Sequence, residues 1–207
     1  MNVILYGATG KSGSRILNEL NARGHKVTAV VKDPSKLPAG VEGKQDDLSN
    51  VEKIAAILIG ADAVVSAYGP PPDDTDQLIG VTERQIEAVK RAGNLRLIVV
   101  GGAGSLEVAP GVSLLASGHL PAPWAPIAVS HEKALKLLQA SAIDWTYFSP
   151  AAFFEPGERT GKFRLGTTNL ISDEKGQSRI SMEDYAIALV DELEKPAHRR
   201  AQFTVGY

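Results

Sequence analysis

Residues 6–13 read Tyr-Gly-Ala-Thr-Gly-Lys-Ser-Gly, directly behind the apolar run Val3-Ile4-Leu5. Gly7, Gly10 and Gly13 recur at every third position. They stand between a strand-like run and a segment, Lys11 to Arg23, that carries Ile16, Leu17 and Leu20 on one helical face. A strand turning sharply into a helix through bare backbone is the arrangement that seats a diphosphate. Gly7 permits the turn, Gly10 lets backbone amides come close to the anion, and Gly13 lets the helix pack tightly. The helix N-terminus then adds free N–H groups and a partial positive charge. Thr9, Lys11 and Ser12 complete this loop, whose spacing is G-x-x-G-x-x-G rather than G-x-G-x-x-G. A bound dinucleotide is the expectation.

Outward from this turn the chain alternates strand and helix. His25 to Val31 reads as a continuous apolar strand and Val41 to Gln45 as a weak one. A helix over about Ser49 to Leu58 precedes the strand Ala63 to Ala67. A helix over Asp76 to Ala92 leads to the strand Leu95 to Val100, and one over Ser130 to Gln139 to the strand Ile143 to Phe148. Gly161 to Ile180 is rich in Gly, Thr, Ser and Asn; a helix over Met182 to Glu194 and a strand over Gln202 to Val205 follow. Right-handed βαβ crossovers make this an α/β protein: one Rossmann domain over residues 1–207, doubly wound, its mainly parallel sheet having about seven strands and a small C-terminal substrate-side lobe. Tyr68 to Asp74 and Gly118 to Pro126 carry three prolines each and read as loops beyond strand ends, where such sheets bind ligands.

Composition narrows the function. A formal net charge of -2 with no clustered Lys/Arg argues against nucleic acid. The absence of cysteine removes disulfides, thiolate nucleophiles and Cys-based metal sites, and no His/carboxylate spacing suggests a metal. No basic leader or long apolar stretch is present, so a cytoplasmic protein without membrane contact, a monomer or homodimer, is expected.

The nucleotide's identity turns on the end of the second strand. NAD-selective sites usually place an acidic residue there for the ribose 2′-OH, but this strand ends Val30-Val31-Lys32, with Asp33 one step later. Lys32, with Lys11 as a second cation, suits a 2′-phosphate, which favours NADP(H) over NAD(H); both lysines can equally be solvated surface charges. Asp47 and Leu48, after the third strand, fall beside the adenine, the carboxylate accepting from its amino group.

GATGKSG, the segment Ala63-Val64-Val65-Ser66-Ala67-Tyr68-Gly69 and the segment Ile143 to Pro150 together resemble the atypical short-chain dehydrogenase/reductase superfamily. More narrowly, the chain is similar to the NAD(P)H-binding group of biliverdin reductase B/flavin reductase and the bacterial NADH-flavin reductases. The likeness covers nearly the whole chain. It implies cofactor contacts at Ala67, Tyr68 and Gly69 and a nicotinamide near Ser149 and Pro150. Ordinary superfamily members carry a Tyr-x-x-x-Lys pair that exchanges a proton with a carbonyl; those positions hold Ile127 and His131 here, and the serine usually found after the fifth strand is missing.

The departure favours acceptors that need less proton help, such as flavins and quinones, whose conjugated rings are already activated. The expected activity is hydride transfer from NAD(P)H to such a planar acceptor, with His131, a position the resemblance also gives to histidine, as catalytic residue. The alternative is a redox sensor of the NmrA type that binds NAD(P) without turnover. Trp124 can stack on a planar ring or simply anchor its loop. Arg159 can meet an anion or pair with Glu155 or Glu158, and Ser105 can stand in for the missing serine.

Overall fold

Buried apolar strands crossed by amphipathic helices organise the protein, whose computed structural model describes residues 1–207. In chain order the first half comprises β1 (Asn2–Tyr6), α1 (Lys11–Ala22), β2 (Lys26–Val31), β3 (Glu42–Gln45), α2 (Val51–Leu58), β4 (Ala63–Ser66), α3 (Gln77–Arg91) and β5 (Arg96–Val100). The second half comprises β6 (Glu107–Ala109), β7 (Val112–Ser113), α4 (Ala125–Ala140), β8 (Trp145–Ser149), β9 (Phe153–Glu155), β10 (Arg164–Gly166), β11 (Arg179–Ser181), α5 (Met182–Glu194) and β12 (Ala201–Gly206).

The central sheet has eight strands in the order β10-β12-β8-β5-β4-β1-β2-β3. Every neighbouring pair is parallel except β10 with β12. This is a Rossmann-like α/β domain with five helices. Period-2 alternation divides the core between the two faces of the sheet. Val3 and Leu5 join Ile16, Leu20, Tyr185 and Leu189 of α1 and α5. Ile4 and Tyr6 join Ile54, Val89 and Leu138 of α2, α3 and α4 on the other face. A strand buried on both sides has no polar face, which is why β1 reads as one apolar run.

Two expectations shift. The eighth strand, β10, lies inside the polar stretch read as lobe, and edge pairing with β12 rather than hydrophobicity forms it. α4 starts at Ala125, five residues before the expected Ser130, because Pro126 lies within its first turn, where no helical N–H bond is lost.

α1 and α5 are stitched by charge. Arg15 Nε lies 2.9 Å from Glu183, and Arg23 Nη1 lies 2.7 Å from Asp191 and 3.0 Å from Glu194. Arg159 pairs in bidentate fashion with buried Glu19, both bonds at 3.0 Å, and so with neither Glu155 nor Glu158. Burial raises the Glu19 carboxyl, yet Arg159 and Arg23 together hold it below the ordinary carboxylate range. No helix is long and apolar enough to cross a membrane.

Candidate functional site

From β1 the sheet grows through β2 and β3 to one side and through β4 and β5 to the other, and a crevice opens where the strand order reverses. There the carboxyl ends of β1, β2, β4 and β5 border one cleft of about 570 Å³. Gly7 turns the chain out of β1 with φ at +77°, and a Cβ on it would lie 2.3 Å from the carbonyl oxygen of Ala67 at the end of β4. On Gly13 it would lie 2.1 Å from the Gly7 oxygen, and on Gly10 3.2 Å from the same atom. These obstacles are backbone and cannot move aside. Gly13 thus packs α1 onto the turn itself.

Gly10 caps α1 with no side-chain hydrogen bond, and the first turn holds no acid. Thr9, Lys11 and Ser12 line the cleft around it while Gly13 is buried behind them. Unfilled amides, a helix N-terminus and a lysine form a donor set that fits a diphosphate.

Lys32, Asp33 and Lys36 lie at the end of β2. Asp33 is already engaged, its Oδ1 accepting from Ser35 N at 3.1 Å and Ser35 Oγ at 2.7 Å. Beyond β3 the Asp47 carboxylate is likewise drawn into its own turn by Ser49, at 3.0 Å from N and 2.6 Å from Oγ. Leu48 is buried at φ +62°, a conformation unusual for a branched residue. It is held from both sides: Asp46 Oδ1 accepts from its N–H, and Arg84 Nε donates to its carbonyl. Of the two adjacent acids, only burial distinguishes Asp46 from Asp47, and the sequence carries no local signal of it. Asp46 Oδ2 has no hydrogen bond, and Lys53 Nζ, 3.2 Å away, lies off the bonding direction.

At the other end Ala67, Tyr68 and Gly69 follow β4, and Val100 and Gly101 follow β5. Tyr68 donates to Gln77 Oε1 at 3.2 Å, which ties down the proline loop. Phe154 of β9 and Met182 of α5 face them. Ser149 and Pro150 do not line the cleft. Buried Ser149 accepts from Gln202 Nε2 at 2.9 Å, and Ser105 accepts from the same nitrogen at 2.9 Å, so each hydroxyl oxygen is turned toward Gln202.

His131 projects from α4 into this end. The buried Ser130 hydroxyl fixes that stretch of helix to Asp76 Oδ1 at 2.9 Å. The imidazole Nδ1 lies 3.1 Å from the Tyr147 hydroxyl, which accepts from Gly102 N–H at 3.0 Å. Apart from its cleft edge the ring is enclosed by protein, and that burial lowers its pKa to about 4, so it is neutral at pH 7. Seven residues earlier on the same helical face, exposed Trp124 meets exposed Phe153 edge-on, with centroids 6.4 Å apart.

Residues 7–196 match the family model described as NAD(P)H-binding. The chain belongs to this NAD(P)H-binding family. Within it, the chain is 41% identical to the YwnB protein of Bacillus subtilis (strain 168), over 99% of this chain and 98% of that protein. Two solved structures share the whole architecture. One is a candidate exported protein of Burkholderia pseudomallei, 45% identical with a TM-score of 0.93, both chains covered completely. The other is a candidate NADH-flavin reductase of Streptococcus pneumoniae TIGR4, 35% identical with a TM-score of 0.91, over 100% of this chain and 99% of that one. The family's ligand matches the chemistry of the turn at Gly7 to Gly13.

Proposed function

We propose that the protein is an NADPH-dependent reductase that passes a hydride to a planar conjugated acceptor, a flavin or a quinone. The observation that carries this reading is a cleft that holds His131 at one end and a bare glycine turn at the other. The likeness to a candidate flavin reductase supports the same acceptor class.

When bound, the reduced nicotinamide supplies the hydride. Gly7 to Ser12 hold the diphosphate, and Lys11, Lys32 and Lys36 compensate a 2′-phosphate. Asp46 and Leu48 border the adenine, and Tyr68 and Gly69 the far ribose. His131, beside Gly101, offers hydrogen bonding to the acceptor without adding a full charge. A neutral imidazole can stabilise developing negative charge on a ring oxygen or nitrogen while solvent later supplies the proton. A carbonyl substrate would need that proton during the transfer itself, and a ring held mainly neutral at pH 7 is a weak source of it.

Steady-state oxidation of NADPH with FMN, FAD and a quinone panel tests the proposal. The expected result is turnover with at least one acceptor that falls in His131→Gln while calorimetric NADPH affinity is retained. Binding without turnover across the panel would overturn the reductase and favour a cofactor sensor.

A further inference from the structure

We propose that Tyr147 is a positioning residue that fixes the tautomer of His131, so that the cleft presents an Nε2–H donor and selects ligands carrying an acceptor atom at that point. The inference rests on the reading of the cleft as a reductase site, which it deepens by stating the polarity of the group that meets the acceptor.

Tyr147 is fully buried in β8, and its hydroxyl has two kinds of neighbour. Gly102 N–H donates to the oxygen at 3.0 Å, which uses one lone pair. The hydroxyl proton then has two acceptors in reach, His131 Nδ1 at 3.1 Å and the His131 carbonyl at 3.3 Å. That carbonyl lies in the interior of α4, where the helix supplies its own N–H partner. The ring nitrogen is closer and has no other donor. The tyrosine proton therefore goes to Nδ1, and a neutral imidazole must carry its own proton on Nε2. No protein atom bonds Nε2, and it is not among the sealed polar atoms. It opens onto the cleft that His131 lines.

The glycine pair after β5 makes this contact possible. A Cβ on Gly101 would lie 2.4 Å from the Tyr147 ring, and one on Gly102 would lie 3.1 Å from the His131 ring. Gly101-Gly102 thus makes room for the Tyr147–His131 pair where a hydroxyl residue would otherwise follow the strand. The fixed tautomer forms no new bond and moves no electrons. It would offer a donor to a flavin carbonyl or ring nitrogen, or to a quinone oxygen, on which electron density grows during reduction. Burial drives the Tyr147 phenol well above its ordinary range, so it remains a hydroxyl and serves as an orienting donor.

Long-range ¹H–¹⁵N spectra of ¹⁵N-histidine-labelled protein at pH 7 test this, with His131→Gln identifying the resonance among the four histidines. The expected wild-type pattern is a pyridine-type Nδ1 and a protonated, pyrrole-type Nε2. Tyr147→Phe, which keeps the ring and loses only the hydroxyl, should shift His131 toward a mixture of tautomers. It should also lower kcat by about ten- to a hundredfold with the KM for NADPH unchanged. A protonated Nδ1 in the wild type overturns the proposal, as does a Phe variant with the wild-type pattern. Should that variant fail to fold, the wild-type spectrum still decides. A wild type that shows the expected tautomer but reduces no acceptor would sink the reductase reading and leave the Tyr147 assignment standing.

Discussion

The N-termini of α1 and α5 belong to neighbouring helices on one face of the sheet and have been treated in opposite ways. α5 is filled by the protein itself. Ser181 Oγ accepts from Asp184 N at 3.0 Å, and both acids of the first turn are engaged. Asp184 collects Thr160 N and Gly161 N at 2.8 Å each, Thr160 Oγ1 at 2.6 Å and the Tyr207 hydroxyl at 2.8 Å. Glu183 takes Gly157 N at 2.7 Å and Arg15. At α1 no side chain caps the helix and no acid faces the dipole; lysine stands in its first turn. The same backbone electrostatics thus lock the C-terminal lobe at one helix and leave a place for a ligand anion at the other.

The most damaging way to break this contrast is to fill the bare turn. Gly7→Val puts a branched side chain at φ +77° and against the Ala67 carbonyl, so soluble folded protein and NADPH binding should be lost together. Gly13→Ala is the milder version, with a methyl 2.1 Å from the Gly7 oxygen. The expected cost is about 1–3 kcal/mol in urea denaturation, with NADPH affinity in calorimetry reduced in whatever remains folded. At the filled terminus the outcome should divide differently. Asp184→Ala removes the buried acceptor of four partly exposed donors, a loss of about 1–2 kcal/mol. The calorimetric NADPH affinity of the folded fraction should be unchanged, and a parallel loss of affinity would show that the two termini are not independent.

These two regions were also unequally legible. YGATGKSG announced α1, the turn and the strand in front of it, because glycine spacing and an apolar run are local properties. The Tyr147–His131 contact was not readable, since two residues 16 apart meet only through the register of β8 against β5 and the bare Gly101-Gly102 pair. The resemblance implies a nicotinamide near Ser149 and Pro150, but the Ser149 hydroxyl oxygen accepts from Gln202, a partner 53 positions away on β12. β10 escaped for a similar reason, since edge pairing with a later strand formed it. Among the acids, Asp33 and Asp47 are each tied up by a serine two residues on, a local turn that the sequence permits but does not compel.

The charge clamp between α1 and α5 sharpens the comparison through pH. Glu19 and Glu183 both have folded-state pKa values below the ordinary carboxylate value; burial opposes this in each, and it is outweighed by Arg159 and Arg23 at Glu19 and by the Gly157 N–H together with Arg15 at Glu183. Groups of this kind stabilise the fold above their unfolded pKa of about 4.3 and lose that contribution as pH falls through the folded value. Thermal stability should therefore decline as the solution is acidified below about pH 4.3. Glu19→Gln should be less stable at neutral pH and show a shallower acid slope; an unchanged slope would mean that the clamp does not report on this carboxyl.

The smallest effect is expected where the bare terminus meets its outer cations. Asp33 would compete for a ribose 2′-OH, but its carboxylate is held by Ser35, and Lys36 lies 4.0 Å from it. A phosphate at that point would meet Lys32 and Lys36 beside an acid whose Oδ1 is already engaged by Ser35. Each lysine at such an exposed position contributes about 0.2–1 kcal/mol. Lys32→Ala and Lys36→Ala should therefore each raise the KM for NADPH by about 1.4-fold to fivefold while leaving that for NADH unchanged. The effect should shrink as ionic strength rises, because salt screens exposed charges within about 10 Å at 0.1 M. If instead both cofactors weaken equally, the lysines act on the diphosphate or on the loop, and the second strand does not discriminate between the nucleotides. Ser35→Ala separates these cases further, since freeing Asp33 from its turn should bring a carboxylate back toward the ribose and move preference toward NADH.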